Sequence, residues 1–373
     1  MNIQMVDLRG QYEKIQSEID TAINSTLDSC RFVRGVEIED FEHALAGYLG
    51  VRHVIAVGSG TDALTLAYLA LGLQPGDEVI VPDFTFVAAA EAAALLHLRP
   101  VLVDCDYDTM TISPDAIRRA VSPHTRAIVP VHLFGHNADM DAIMAIAREH
   151  NLAVVEDAAQ SLGSFHISSD GSQHQSGTMG HIGCTSFFPT KNLGCYGDGG
   201  ALFTDDDRLA ATIRSLANHG MTIRYRYDHI GVNSRLDTIQ AAILLAKLPH
   251  LDDYIAARQH AASCYNALLA SDHRFLLPAA THYSTHSYHQ YTLRCTGIDR
   301  DTLRRHLTSA GIPTMIYYPQ PLHTQPVYHD TLRPESDFPN SNALAHQVLS
   351  LPMHTELTEE QILYITDRIK QFN

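Results

Sequence analysis

AIVPVHLFGHNADMDAIMAIAREHNLAVVEDAAQSLG, Ala127–Gly163, holds an apolar run, a helical period and a second apolar run ending on an acid. Neither AIVPVHLF nor AVVED (Ala153–Asp157) shows the strict apolar–polar alternation of a half-buried strand, so both are expected to be covered on two faces. Working outward, the unit repeats. HVIAV (His53–Val57) precedes a helical stretch from Thr61 to Leu71, and EVIVP (Glu78–Pro82) precedes FVAAAEAAALLH. PVLVD (Pro100–Asp104) leads to SPDAIRRAV, where Ser113 suits an N-cap and Pro114 the first helical position. TSFFP and GGALFT, the latter ending at Thr204, read as two further strands. Apolar strands separated by helices predict an α/β fold with a mostly parallel sheet.

The texture changes after Asp205. Helices are expected over Arg208–His219, Arg235–Leu248 and Asp252–Ala270, then a strand over His286–Cys295, a helix over Arg300–Ala310 and an extended Thr314–Tyr318. A last helix, Glu359–Gln371, has Thr358 as its expected N-cap. This α+β tail places a domain boundary near Leu248–Tyr254, giving a large domain over 1–250 and a small one over 251–373. Met221–Gly231 is the expected mobile loop.

With 373 residues, 45% of them apolar, the chain has ample core for two such domains. The formal net charge of −16 argues against nucleic acid, which needs phosphate neutralisation. Six scattered cysteines, without a C-x-x-C pair, indicate reduced thiols. The N-terminus MNIQMVDLRGQYEKI lacks the apolar core of a secretion signal and no run is long enough to span a membrane, so a cytoplasmic location is expected. Although histidines number 23, no H-E-x-x-H motif appears and no metal is expected.

Chemistry concentrates at four places. Lys191 stands in SFFPTKNLGCYGDGGALF (Ser186–Phe203), a stretch poor in charge where burial would lower the amine pKa and free it for carbonyl chemistry. Asp157 ends a strand and would match the pyridinium nitrogen of pyridoxal phosphate, with Gln160 three residues on. GSGTDALTLAY (Gly58–Tyr68) would offer helix N-terminal N–H groups to a phosphate, although it is no P-loop and by itself weak. Ser186 would add a hydroxyl, and either Phe84 or Phe86 in PDFTFVAAAE would lie on the ring.

GTDAL, DFTFVAAAE, EDAAQSLG, SFFPTKNLGCYGDGG and VNSRLDTIQAAIL, in this order, resemble the DegT/DnrJ/StrS family of pyridoxal-phosphate-dependent nucleotide-sugar aminotransferases. The likeness runs from VDLRGQY to SLPMH, nearly the whole chain. It implies the aspartate-aminotransferase fold (fold type I), a homodimer with active sites at its interface, and L-glutamate as amino donor. It implies Lys191 as the cofactor-linked lysine, Asp157 at the ring nitrogen, Gln160 beside the ring and Phe86 stacked on it. Gly60, Thr61 and Ser186 would hold the phosphate, with Asn233 reaching it from the neighbouring subunit. Arg235, Tyr318 and His323 are the implied substrate contacts. The most similar subgroup acts on UDP-2-acetamido-2-deoxy-3-oxoglucuronate, but Tyr317–Tyr318 stands where that subgroup has His-Tyr. A 4-keto-6-deoxy nucleotide sugar is the alternative substrate. A dehydratase relative would carry histidine in place of Lys191, and a regulatory protein on this fold would leave the cofactor residues unexplained.

Overall fold

Helices on both faces let the apolar runs of the first half bury both sides of each strand. In the computed structural model, which describes residues 2–331 and 334–372, seven strands form one sheet. They are β1 (His53–Val57), β2 (Glu78–Pro82), β3 (Arg99–Val103), β4 (Thr125–Ile128), β5 (Ala153–Asp157), β8 (Ile182–Ser186) and β9 (Gly200–Thr204). A small hairpin, β6 (Phe165–Ile167) with β7 (Gln173–Gln175), is inserted before β8. The order across the sheet is β1-β9-β8-β5-β4-β2-β3. β9 is antiparallel to both β1 and β8, and every other pairing is parallel. The six co-directional strands therefore end along one edge, where ligands of open α/β sheets bind.

One face is covered by Gly60–Ala70 and Ala88–Leu95, whose alanines (Ala63, Ala67, Ala89, Ala90, Ala92, Ala93) let the helices approach the sheet closely. Phe41, Leu45, Phe187, Leu236 and Leu244 belong to a second core cluster, and Ile143 and Ile146 to a third. Each such large buried side chain stabilises the fold by about 1.5–3 kcal/mol. β1 and β2 match the expected runs. β4 stops at Ile128, short of the run AIVPVHLF, because Pro130 cannot donate to a ladder and Phe134 turns the chain at φ 59°.

The second half forms its own three-stranded antiparallel sheet, β12 (Phe275–Leu276), β13 (Tyr291–Cys295) and β14 (Val348–Leu351). Its separate core includes Leu293, Leu303, Leu349 and Ile365. The last helix starts where expected, with Thr358 and Gln361 closing a capping box.

Two expectations need correction here. The expected strand His286–Cys295 begins only at Tyr291, because Tyr288 takes φ 47° and stacks on His286 at 3.9 Å. The helix expected from Arg235 begins at Thr238, with an extended Asp237 at the N-cap position that makes no side-chain capping bond. The Met221–Gly231 segment carries the exposed hairpin β10 (Met221–Ile223) and β11 (Arg226–Tyr227). Three N-terminal helices, Leu8–Lys14, Gln16–Ser29 and Val36–Leu49, had no counterpart in the sequence reading. All six cysteines are unpaired. Among the described residues no helix is long and apolar enough to cross a membrane.

Candidate active site

Three segments meet where β9 begins. Gly200 pairs with Val57 of β1 on one side and Ser186 of β8 on the other. The turn after β1 opens the helix Gly60–Ala70, capped by Ser59, whose Oγ accepts from the Asp62 N–H at 3.0 Å. The first helical hydrogen bond runs from Ala63 N–H to the Ser59 carbonyl, so helix geometry leaves the N–H groups of Gly60 and Thr61 for an anion. A Cβ on Gly60 would lie 2.8 Å from Ser186 Cβ, and one on Gly200 would lie 2.4 Å from the Ser59 carbonyl oxygen. The cradle thus exists because glycine occupies both positions, and it fits a phosphate.

Asp157 sits at the end of β5, 8% exposed, with Oδ1 accepting from the Ala159 N–H at 3.0 Å. Burial raises its pKa; the Ala159 hydrogen bond, the Lys191 charge and the His132 charge oppose that without cancelling it. A ring cation beside it would favour the ionised carboxylate. Lys191 is lowered to about 8 by burial, against the pull of Asp157, so a sizeable share of its amine is neutral near physiological pH. The carboxylate and amine that a pyridoxal ring requires are therefore within electrostatic reach of each other.

The two phenylalanines separate cleanly. Phe84 is fully buried in the core, whereas Phe86 is 56% exposed, so Phe86 is the one free to cover a ring. Tyr318, which follows Tyr317 through a cis peptide bond, approaches both, with ring centroids 6.2 Å from Phe84 and 6.3 Å from Phe86. Gln160 is held at both ends, its Oε1 accepting from Phe134 N–H at 2.7 Å and its Nε2 donating to the Tyr318 hydroxyl at 3.2 Å. His323 is tied to buried Asp83: its N–H donates to Oδ1 at 2.7 Å and its Nδ1 lies 2.8 Å from Oδ2. Its ring stacks on Phe338 at 4.2 Å, leaving only Nε2 uncommitted.

Asn233 is exposed and Arg235 half-buried, but the residue between them makes the contact to this protomer's cradle. Ser234 Oγ accepts from the Gly58 N–H at 3.0 Å and donates to Asp62 Oδ2 at 2.6 Å. The exposed hairpin arginines find local partners: Arg224 lies over the Tyr225 ring and Arg226 pairs with Asp228 at 3.0 Å.

Sequence reasoning missed Asp83, Ser234 and a clamp on the lysine loop. From the helix Thr238–Lys247, Gln240 Oε1 accepts from the Tyr196 N–H at 2.8 Å and Lys247 Nζ donates to the Gly194 carbonyl at 2.6 Å. Lys247 is 1% exposed and lowered to about 8 by burial. A lysine seven residues after a glutamine on an otherwise apolar helix was the available signal. His289 was also missed: it is buried, its Nδ1 has no partner, and burial together with the charges of Lys191 and Arg258 keeps it neutral. A separate cavity of about 590 Å³, lined by Arg52, His181 and Asp205–Arg208 among others, opens at the other edge of the sheet, where β8 begins and β9 ends. It holds none of the residues above.

The sequence profile of the DegT/DnrJ/EryC1/StrS aminotransferase family matches residues 13–370. The chain belongs to that family. The DegT-family relatives include the UDP-2-acetamido-2-deoxy-3-oxo-D-glucuronate aminotransferase of Pseudomonas aeruginosa, 43% identical over 97% of this chain and 98% of that one. The UDP-N-acetyl-3-dehydro-alpha-D-glucosamine 3-aminotransferase of Acidithiobacillus ferrooxidans is 44% identical over 99% and 97%. A pleiotropic regulatory protein of Geobacillus stearothermophilus is 43% identical over 100% and 99%. Among solved structures, ntda of Bacillus subtilis, with bound cofactor PMP, is 32% identical with a TM-score of 0.87, covering 98% of this chain and 83% of that one. This DegT-family chain is a pyridoxal-phosphate-dependent sugar aminotransferase with the fold its sequence resemblance implied.

Proposed function

We propose that the enzyme transfers nitrogen from L-glutamate to C3 of a UDP-3-keto-2-acetamido uronic acid, for surface polysaccharide synthesis in the cytoplasm. The reading rests on Lys191, a lysine where a dehydratase would have histidine, whose amine is lowered by burial and feels the Asp157 charge, together with the close approach of Gly60 to Ser186. Support for C3 comes from two relatives whose names each place the keto group there. Pyridoxal phosphate, when bound, supplies an aldehyde that carries the nitrogen and a ring that withdraws electrons. Lys191 Nζ takes the proton from the donor's α-carbon and returns one at the sugar carbon. Asp157 would keep the ring nitrogen protonated, Phe86 would cover the ring, and Gln160, held by Phe134 and Tyr318, would stand beside it. The N–H groups of Gly60 and Thr61, the Ser186 hydroxyl and Asn233 of the partner subunit would hold the phosphate. Arg235, Tyr318 and the His323 region would contact the sugar nucleotide. In this reading the chain divides into 1–250 and 251–373 and works as a homodimer with composite sites.

Keto-sugar nucleotides incubated with enzyme and glutamate, and followed by mass spectrometry, test the reading. Amino product from the 3-keto uronate with stoichiometric 2-oxoglutarate is expected, and Lys191→Ala should abolish both it and the visible absorbance of the bound cofactor. Product from 4-keto-6-deoxy sugars alone would replace the substrate assignment. Loss of a sugar hydroxyl without amination would replace the reaction.

A further inference from the structure

The sequence reading expects no metal, yet the fold gathers three ligand types at the surface of the C-terminal half, outside the candidate active site. His260 and Cys264 are four residues apart on the helix Leu251–Leu269 and so share one face. Glu359 is the first residue of the helix Glu359–Gln371, which packs alongside. Cys264 Sγ lies 3.8 Å from His260 Nε2, and His260 Nε2 lies 3.1 Å from Glu359 Oε1. All three donor atoms fall within 4.8 Å of one another.

These spacings resemble the edges of a coordination tetrahedron. With metal–ligand bonds of roughly 2.0–2.3 Å, donor atoms around zinc stand about 3.3–3.6 Å apart. Two of the three edges are already within a few tenths of an ångström of that, and the third closes by rotation of an exposed glutamate. We propose that His260, Cys264 and Glu359 form a site for a divalent transition metal, zinc by ligand type, with solvent at the fourth position. Imidazole, thiolate and carboxylate together suit zinc better than magnesium or calcium, which take oxygen donors. An exposed His–Glu contact alone contributes little to stability. A bound ion would instead link the helix that enters this half to the one that closes it.

Holoenzyme treated with a chelator, reduced and titrated with Co²⁺ provides the test, against metal-free holoenzyme so that cofactor absorbance cancels. A thiolate-to-cobalt charge-transfer band saturating at one equivalent per chain, and displaced by Zn²⁺, is expected. Cys264→Ser should remove the band, while His260→Ala and Glu359→Gln should each weaken Co²⁺ affinity by at least about tenfold, since losing a direct ligand should cost no less than losing an outer-shell partner. Circular dichroism of each variant checks the fold. Absence of a saturable band, or a band that survives Cys264→Ser, overturns the proposal.

Discussion

Gly60→Ala tests whether the turn after β1 holds the cofactor phosphate. The added Cβ would stand 2.8 Å from Ser186 Cβ, 3.3 Å from Ser186 Cα and 3.4 Å from Ser186 Oγ. Carbon atoms pack at about 3.5–4.0 Å, so relief requires a shift approaching 1 Å, and with a backbone atom involved β8 itself must give. Overpacking of this kind costs about 1–3 kcal/mol. The same shift separates the Ser186 hydroxyl from the N–H groups of Gly60 and Thr61. Losing one hydrogen bond to a charged group costs about 1.5–3 kcal/mol, so the dissociation constant for pyridoxal phosphate should rise roughly 10–150-fold. Titration of apoenzyme with pyridoxal phosphate, followed by visible absorbance, measures it. Gly47→Ala is the control: it is helical with open space where its Cβ would go, and should stabilise the protein by up to about 1 kcal/mol without changing cofactor affinity. If Gly60→Ala binds the cofactor within twofold of wild type, the phosphate does not sit between Gly60 and Ser186.

Lys191 and Lys247 are both lowered to about 8 from 10.5 in the folded chain, so between those pH values the unfolded chain binds more protons. Their contribution makes apoenzyme stability rise with pH across that window, and the slope of denaturant midpoints from pH 8 to 9.5 should be shallower in Lys247→Met than in wild type. Lys247→Met also leaves the Gly194 carbonyl without its 2.6 Å partner, and should weaken cofactor retention about tenfold in equilibrium dialysis at unchanged far-ultraviolet circular dichroism. Mixing inactive Lys191→Ala with inactive Arg235→Ala chains should restore part of the activity, because one site of each heterodimer keeps both groups. No return of activity after proven subunit exchange would place Arg235 in its own protomer's site.

The sheet was legible where a strand is apolar and almost wholly enclosed, as in β1, β2 and β5, since burial on two faces leaves a short continuous apolar run. It was misread where tertiary contacts set the backbone. The run His286–Cys295 has a strand's composition, but Ser287 and Gln290 bond to Gly135 and Phe134, and Tyr288 turns left-handed between them. Two of the N-terminal helices, Gln16–Ser29 and Val36–Leu49, pack on an element far along the chain, Thr238–Lys247, which local sequence does not announce. At the candidate site, Lys191 and Asp157 could be nominated from sequence because their chemistry is particular to their residue types. Asp83 and Lys247 act through contacts to a distant histidine and a distant carbonyl, which local sequence does not encode.

The reversed direction of β9 also bears on the order of folding. Pairing His53 with Thr204 closes about 150 residues of chain, a span whose loop entropy delays contact formation. Until that ladder closes, Gly60 and Ser186 belong to unconnected segments and the phosphate cradle does not exist. Cofactor uptake should therefore lag behind the recovery of helical signal during refolding, so that the visible absorbance becomes a clock for the last step in building the large sheet.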